Sequence, residues 1–146
     1  MSTLQRFLDA QASSYSQALS ELACGEKRSH WIWYILPRLQ GLGHSRMSMD
    51  FGINGRQEAA DYIAHPVLGE RLIQCVKAVL RHPGKQAVDI FGDIDAQKFC
   101  SCLTLFQAVA PQHPCFAEAL EVFYGGRKDA RTLELLNPAS ADERRL

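Results

Sequence analysis

A lysine, a histidine and a tryptophan lie close together in the sequence, at Lys27, His30 and Trp31. Ser29 can cap a helix that begins there, and the first amide N–H groups of a helix attract anions. A tryptophan ring stacks on a base or on another ring. The stretch therefore fits a site for an anionic, ring-containing ligand. It fits equally well a tryptophan-rich core element beside a solvated basic turn.

Further polar side chains decorate a glycine-rich stretch between Arg38 and Gly55, among them Arg38, Ser45 and Ser48. Backbone amides and arginines in such a loop can hold a phosphate group. Gly41-Leu42-Gly43 matches neither a dinucleotide fingerprint nor a P-loop, and no predicted strand precedes it. The length of the stretch is the better argument for function, because long irregular loops are uncommon in compact domains.

Glu58 and Lys98 are the ionisable residues with the most unusual predicted positions. Glu58 opens a short helix directly after the glycine-rich stretch, where it acts as a general base or only stabilises the positive end of the helix dipole. Lys98 lies inside the apolar arc of its predicted helix, between Leu105 and Val109. Such a lysine either extends its ammonium group to solvent or binds an anion with a lowered pKa.

Gln11 and Tyr15 interrupt the apolar face of the first predicted helix. Buried polar side chains require hydrogen-bond partners. These two residues therefore either brace the following element through its backbone or line a pocket.

The composition excludes several classes of function. Lysine plus arginine number 16, as do aspartate plus glutamate, so the chain lacks the basic field that generic nucleic-acid or acidic-membrane binding requires. The longest apolar run, Trp31 to Leu36, is far shorter than the roughly 18 residues of a membrane helix. No secretory signal is evident at the N-terminus, and five scattered cysteines indicate reduced thiols. We therefore expect a cytoplasmic protein.

No cofactor motif and no metal site is predicted. The five histidines are too dispersed to suggest metal ligation, and Cys100-x-Cys102 has no second ligand pair at zinc spacing.

Hydrophobic periodicity predicts an all-α, compact bundle of about six or seven helices with one long glycine-rich loop. Its 146 residues suit one domain, which we place at residues 1–137, followed by a flexible C-terminal tail at 138–146. The first helix is predicted to begin with a capping box at Ser2 and Gln5 and to end at Gly25. Trp31 to Leu36 is predicted to be a short buried helix, although a buried strand fits almost as well.

Further along the chain the only extended segment is predicted at Met47 to Phe51, where apolar residues alternate. Six further helices are predicted. The first three are Gln57 to Ala64, a helix that Pro66 opens and Pro83-Gly84 ends, and Lys85 to Phe91. The last three are a central helix from Asp93 or Asp95 to Val109, a helix that Pro114 opens and Gly125-Gly126 ends, and Ala130 to Leu136, which Asp129 caps.

The same stretches resemble an uncharacterised family known as domain of unknown function 1810. The resemblance covers about residues 6 to 136. Its motifs include Arg6-Phe7-Leu8-x-Ala10-Gln11, Gly25-x-Lys27-x-Ser29-His30-Trp31-x-Trp33, Pro37-Arg38-Leu39-x-Gly41-Leu42-Gly43-x-Ser45, Glu58-Ala59, Ile90-Phe91-Gly92-x-x-Asp95-x-x-Lys98 and Tyr124-x-Gly126-x-x-Asp129. It implies a compact, all-helical bacterial domain without an established activity. A fainter resemblance is to the NADAR N-glycosidases, which are small, helical and built around glutamate and basic residues near a nucleotide-sized pocket.

The leading hypothesis is a pocket for an anionic, nucleotide- or ADP-ribose-like molecule. Its ligand-binding residues are Gln11, Tyr15, Lys27, His30, Trp31, Arg38, Ser45, Ser48 and Lys98. If the protein is an enzyme, Glu58 serves in hydrolysis of an N-glycosidic bond by orienting water or stabilising positive charge. The alternatives are a non-catalytic module that binds a ligand or a protein, and a homo-oligomeric structural protein. The sequence leaves the enzymatic status and the oligomeric state open.

Overall fold

Helices make up nearly all regular structure in residues 4–137, the part of the chain that the computed structural model describes. Ten helices occur in this part: α1 Gln5–Gln11, α2 Tyr15–Cys24, α3 Ile32–Ile35, α4 Arg46–Asp50, α5 Gly55–Ala64, α6 Leu68–Leu80, α7 Ala87–Phe91, α8 Asp93–Val109, α9 Pro114–Tyr124 and α10 Ala130–Leu136. The predicted all-α class is confirmed, with more and shorter helices than expected. The predictions for Ser2 and for residues 138–146 lie outside the described residues.

The central element is α8. It packs against α9, α7, α5, α10 and α3, and every residue from Phe99 to Phe106 is buried. A helix covered on all sides must be apolar around most of its circumference, which is why this one lacks a polar stripe. Phe106 anchors the core by ring contacts with Tyr62 at 5.6 Å and Phe116 at 5.7 Å between centroids. No helix among the described residues has the length and apolar character needed to cross a membrane.

The first predicted helix is in fact two helices, so the prediction of one continuous helix to Gly25 was wrong. The break falls at residues 12–14, where the Ser14 hydroxyl donates a hydrogen bond to the carbonyl of Ala10 at 2.7 Å. Serine side chains that bond to nearby backbone in this way compete with helix continuation. The predicted stop at Gly25 is confirmed, because this glycine adopts the left-handed conformation that ends α2.

The glycine-rich stretch is more ordered than predicted. Met47 to Phe51 is not extended, because Arg46–Asp50 forms α4, which Ser45 caps by accepting the Ser48 N–H at 3.1 Å. A serine cap at the right spacing outweighs a brief apolar alternation. One isolated parallel bridge joins Leu39 to Ile53 and closes the stretch at its base.

Trp31 to Leu36 contains helix α3, as predicted, but Ser29 does not cap it. The cap predicted at Asp93 or Asp95 was also wrong, because α8 follows Gly92 directly without a side-chain cap.

Pro66 is not the first residue of its helix. The helix α6 begins at Leu68, and the His65 Nδ1 accepts the N–H groups of Val67 and Leu68 at 3.1 and 3.2 Å in place of a conventional cap. The predicted helices α5, α7, α9 and α10 are confirmed, and α10 is capped by Asp129 as expected.

A buried carboxylate, Glu21, holds the segment between α2 and α3. Its Oε1 accepts the N–H groups of Arg28 and Ser29 at 2.7 and 2.9 Å and the Trp31 indole N–H at 2.9 Å. Its Oε2 accepts the Ser29 hydroxyl at 2.6 Å and the Gln17 amide at 2.8 Å. Burial by itself would raise the pKa of Glu21, but these hydrogen bonds outweigh it and hold the pKa well below its usual range.

We expect Glu21→Gln to lower the free energy of unfolding by about 2–3 kcal/mol, because an amide cannot accept all of these hydrogen bonds. Urea denaturation measures the difference. Glu26→Gln is the matched control, since Glu26 is exposed and, among residues 4–137, its side chain forms only a long surface ion pair with Arg28. Equal small effects in both variants contradict the organising role of Glu21.

The advantage of the wild type over Glu21→Gln also depends on pH. A carboxyl group with a lowered folded-state pKa stabilises the fold above its unfolded-state pKa and loses that contribution as the pH falls toward its folded-state pKa. Acid titration of both proteins should therefore show the difference in full above about pH 5 and shrinking below about pH 4.

Candidate functional site

A small, partly open cavity with room for about one water molecule lies between α3, α4 and α8. Its wall is mostly apolar, with three polar side chains that the sequence analysis had selected: Arg38, Ser48 and Lys98. The full lining is Ile32, Trp33, Leu36, Arg38, Met47, Ser48, Phe51, Gly52 and Lys98. An apolar cavity with a few convergent polar groups is the usual form of a small-molecule site.

Arg38 reaches the cavity across the glycine-rich stretch. Its Nη2 lies 3.4 Å from the Ser48 hydroxyl, which is a long hydrogen bond. A Cβ atom on Gly43 would lie only 2.5 Å from that Nη2 and 2.7 Å from the hydroxyl. The absence of a side chain at position 43 therefore lets Arg38 and Ser48 approach the loop backbone. This close approach gives a physical reason for glycine at this position.

Two lysines share the carboxylate of Asp95 beside the cavity. Lys27 Nζ lies 2.8 Å from Asp95 Oδ2, whereas Lys98 Nζ lies 3.7 Å from Oδ1. Lys27 also donates to the carbonyl of Ser29 at 2.5 Å and is almost buried, with 6% of its side chain exposed. Lys98 is half-buried and its Nζ sits 5.1 Å from the centroid of the Trp33 ring. Asp95 is therefore satisfied chiefly by Lys27, and Lys98 is the more weakly held cation.

Positive charge dominates the surroundings of the cavity. Burial lowers the pKa of Lys98; Asp95 opposes this effect, and the nearby charges of Arg38 and Lys27 reinforce it. Burial likewise lowers the pKa of Arg38, while Asp129 and Asp95 oppose the shift. Arginine stays protonated in proteins despite such shifts. Three cations thus face two carboxylates, and one of these, Asp129, already caps α10.

The indole of Trp33 adds an unused hydrogen-bond donor. Its Nε1 is buried and has no partner among residues 4–137, although Trp33 lines the cavity. Nearly all buried N–H groups in folded proteins are paired, and leaving one unpaired costs about 1–3 kcal/mol. An acceptor that reached this N–H would remove that cost.

Gln11 and Tyr15 lie away from the cavity wall. The Gln11 amide donates to the carbonyl of Tyr34 at 2.7 Å and to the Tyr62 hydroxyl at 3.0 Å. The Tyr15 hydroxyl donates to Gln74 at 2.9 Å. Gln11 thus braces α3 through its backbone, which is the structural alternative of the sequence analysis.

Four other residues selected for ligand binding also lie outside the cavity lining: Lys27, His30, Trp31 and Ser45. Trp31 is buried and bonded to Glu21, so its ring faces the core rather than a ligand. His30 is exposed, and Ser45 is occupied as the cap of α4.

Glu58 is held by Arg6 and does not line the cavity. Its Oε1 lies 2.9 Å from Arg6 Nη2 and accepts the N–H of Asn54 at 2.9 Å. Burial raises the pKa of Glu58, but the hydrogen bonds from Arg6 and Asn54 outweigh it, so the pKa is lowered. Arg6 also donates to the carbonyls of Asp50 and Gly52 at 2.9 and 2.8 Å. This pair therefore joins α1, the end of α4 and the start of α5.

Trp33 and Asp95 are absent from the pocket predicted from the sequence. Asp95 precedes Lys98 by three positions on one helix, and side chains at that spacing are neighbours. Trp33 follows Trp31 by two residues, and sequence spacing alone does not show that Trp31 is the indole buried in the core.

Comparisons with known proteins identify relatives without an assigned activity. A family model described as "Protein of unknown function (DUF1810)" matches residues 1–136. No curated protein sequence matches the chain. The crystal structure of the conserved hypothetical protein Rv1873 from Mycobacterium tuberculosis is similar, with 41% sequence identity and a TM-score of 0.90. The match covers 91% of this chain and 95% of that protein.

We expect Glu58→Gln to lower the free energy of unfolding by about 1–3 kcal/mol, because it removes the charged partner of Arg6 from a mostly buried position. Glu70→Gln is the matched control, since Glu70 occupies the first turn of α6 but is exposed. Its loss should stay below about 1 kcal/mol, the usual contribution of a charge to the helix dipole. Chemical denaturation of both variants measures these losses. Equal losses of unfolding free energy would contradict the proposal that Glu58 joins α1, α4 and α5.

Proposed function

The chain belongs to the DUF1810 family of proteins of unknown function, and we propose that it binds a small anionic molecule in the cavity between α3, α4 and α8. One observation carries the proposal. Arg38 and Lys98 both line an apolar cavity, and neither of them has a carboxylate oxygen at short ion-pair distance. Arg38 forms no ion pair within residues 4–137, and Lys98 has only the distant oxygen of a carboxylate already bound to Lys27.

An anion in the cavity would compensate these cations. Removing a charged group from water is unfavourable unless it is paired and hydrogen-bonded. A guanidinium group recognises the two oxygens of a phosphate or carboxylate with two parallel N–H donors. Lys98 supplies a point charge on the α8 side, and the Ser48 hydroxyl supplies a further donor. These groups would hold the charged end of a ligand.

The rest of the wall favours a flat or apolar group beside that charge. Trp33, Met47 and Phe51 line the cavity, and aromatic walls suit rings such as nucleobases or sugars. The cavity is far smaller than the roughly 300–1,000 Å³ of sites for drug-sized ligands, because it has room for about one water molecule. For a nucleotide- or ADP-ribose-like ligand, we therefore propose that a charged oxygen reaches Arg38, Ser48 and Lys98 at the cavity and that the remainder of the ligand lies outside.

The contacts favour a protein that binds its ligand without converting it chemically. Hydrolysis of an N-glycosidic bond through Glu58 is the catalytic alternative, in analogy with the NADAR N-glycosidases. Glu58 is already paired with Arg6 and is absent from the cavity lining. Release of Arg6 would have to precede any contact between Glu58 and a ligand. A turnover assay on Glu58→Gln with a bound ligand separates the two forms.

Thermal melting against phosphate, sugar phosphates, nucleotides, ADP-ribose, NAD and small carboxylates tests the site. A ligand at about 100 times its dissociation constant stabilises the fold by about 2.7 kcal/mol. We expect Arg38→Ala and Lys98→Ala to abolish the shift. Arg46→Ala should retain it, because 92% of that neighbouring side chain is exposed. No shift with any anion, or a shift that survives both cavity substitutions, overturns the proposal.

Gly43→Ala tests the loop approach without removing a charge. The added methyl group must displace Arg38 Nη2 and the Ser48 hydroxyl, and it would lie 3.0 Å from the Ser48 Cβ, so α4 must also shift slightly. We expect a stability change below about 1 kcal/mol but weaker ligand binding, because precise placement of the donors is lost. Gly84→Ala is the control, since no other part of the described chain lies within 4 Å of its added Cβ. Unchanged affinity in Gly43→Ala excludes a role for this loop in binding.

A further inference from the structure

The small size of the cavity limits what can occupy it. The cavity has room for about one water molecule, and the side chains of Arg38, Ser48 and Lys98 line it. We propose that a single chloride ion binds there and competes with the charged oxygen of any larger ligand. This inference rests on the anion site proposed above and identifies its smallest occupant. Three observations support it: the hydrogen-bond donors of the wall, the balance of charge and the size of the cavity.

The polar groups of the wall are mostly hydrogen-bond donors. The Arg38 guanidinium and the Lys98 ammonium group are donors only. The Ser48 hydroxyl already accepts from the Ser45 hydroxyl at 3.0 Å and from Arg38 Nη2 at 3.4 Å, so its own proton is available to an acceptor. The indole of Trp33 adds an N–H that is buried and has no partner among residues 4–137. A chloride ion only accepts hydrogen bonds, so this set of groups suits it.

The wall offers fewer acceptors than donors. A buried water molecule forms about three hydrogen bonds, and it needs acceptors for its two protons. Four lining residues have carbonyl groups that already accept a hydrogen bond from elsewhere in the chain, at 3.1, 2.9, 3.0 and 2.8 Å, namely Ile32, Arg38, Met47 and Gly52. The cavity therefore matches the hydrogen bonding of a halide ion better than that of a water molecule.

The charges around the cavity also favour one monovalent anion. Lys27, Arg38 and Lys98 contribute three positive charges, whereas Asp95 and Asp129 contribute two negative ones. Asp95 lies 2.8 Å from Lys27 but 3.7 Å from Lys98, so its charge compensates chiefly Lys27. One chloride ion beside Arg38 and Lys98 would bring the sum of these charges to zero. Its attraction to them is stronger in a partly buried site than in water.

Size distinguishes chloride from other anions. Phosphate, sulfate and carboxylate groups carry several oxygen atoms on a central atom, so only one of these oxygens can reach a cavity with room for about one water molecule. Chloride is a single atom only slightly larger than a water molecule. Fluoride is smaller, but the cost of taking an ion out of water rises as its radius falls. We therefore expect chloride and bromide to bind and fluoride to bind much more weakly.

Chlorine-35 NMR tests the proposal on the wild-type protein. Chloride relaxes much faster on a protein than in water, so exchange with a bound site broadens the resonance of the free ion. We expect a broadening that saturates as the chloride concentration rises and that bromide removes, whereas fluoride at the same ionic strength does not. Thermal melting gives a second readout, because a ligand of the folded state raises the melting temperature as its concentration rises. Sodium chloride should therefore raise the melting temperature above its value in sodium fluoride.

Arg38→Met and Arg46→Met form the matched pair of variants. Both remove a guanidinium group, but Arg38 lines the cavity and 92% of the Arg46 side chain is exposed. We expect the saturable broadening to disappear in Arg38→Met and to remain in Arg46→Met. Lys98→Met removes the second cation of the wall and should weaken chloride binding as well. Saturable broadening that survives both cavity substitutions shows that the ion binds elsewhere, and it overturns the proposal.

The outcomes separate the chloride ion from the larger ligand. In chloride-free buffer, a phosphate or carboxylate compound that stabilises the wild type and also removes the chlorine-35 broadening supports both proposals. Stabilisation by such a compound without any saturable chloride broadening overturns the chloride site and leaves the larger ligand standing. Chloride binding at Arg38 without stabilisation by any larger anion supports the chloride site and overturns the larger ligand. Absence of both effects overturns both.

Discussion

The buried carboxylate of Glu21 is the interaction on which the arrangement of the cavity depends. It accepts backbone N–H groups from Arg28 and Ser29 and the indole N–H of Trp31, and so fixes the path of the chain from α2 into α3. That path places Lys27 against Asp95. The reason is energetic. A buried charge requires several strong hydrogen bonds, and the segment between α2 and α3 supplies them in the conformation that it adopts.

Charged groups serve two different purposes in this fold. Glu21 and the Arg6–Glu58 pair are well satisfied, and each joins segments that are distant in sequence. Arg38 and Lys98 are half-buried and have weaker partners. The charged groups that hold the fold together have close hydrogen-bond and ion-pair partners, whereas those around the cavity have only weak ones. Such a concentration of incompletely compensated groups is characteristic of functional sites.

Three of the residues selected from the sequence line the cavity, for a limited reason. Arg38, Ser48 and Lys98 stood out because each was a polar residue in an unusual local setting, and the structure brings them to one cavity. Gln11 and Trp31 stood out by the same criterion, yet their polar atoms have partners within the core. Local setting shows that a polar side chain needs a partner, but whether that partner is the protein or a ligand depends on segments far away in the chain.

The sequence by itself determined the helical class, most helix positions and the central place of α8, because periodicity and glycine or proline stops act over a few residues. It did not determine the break before α2 or the helix α4, where serine side chains redirect the backbone. Only the tertiary structure decided which cations share a cavity and which carboxylate compensates them. The physical reason is that burial and Coulomb interactions depend on distances through space, which sequence spacing does not fix.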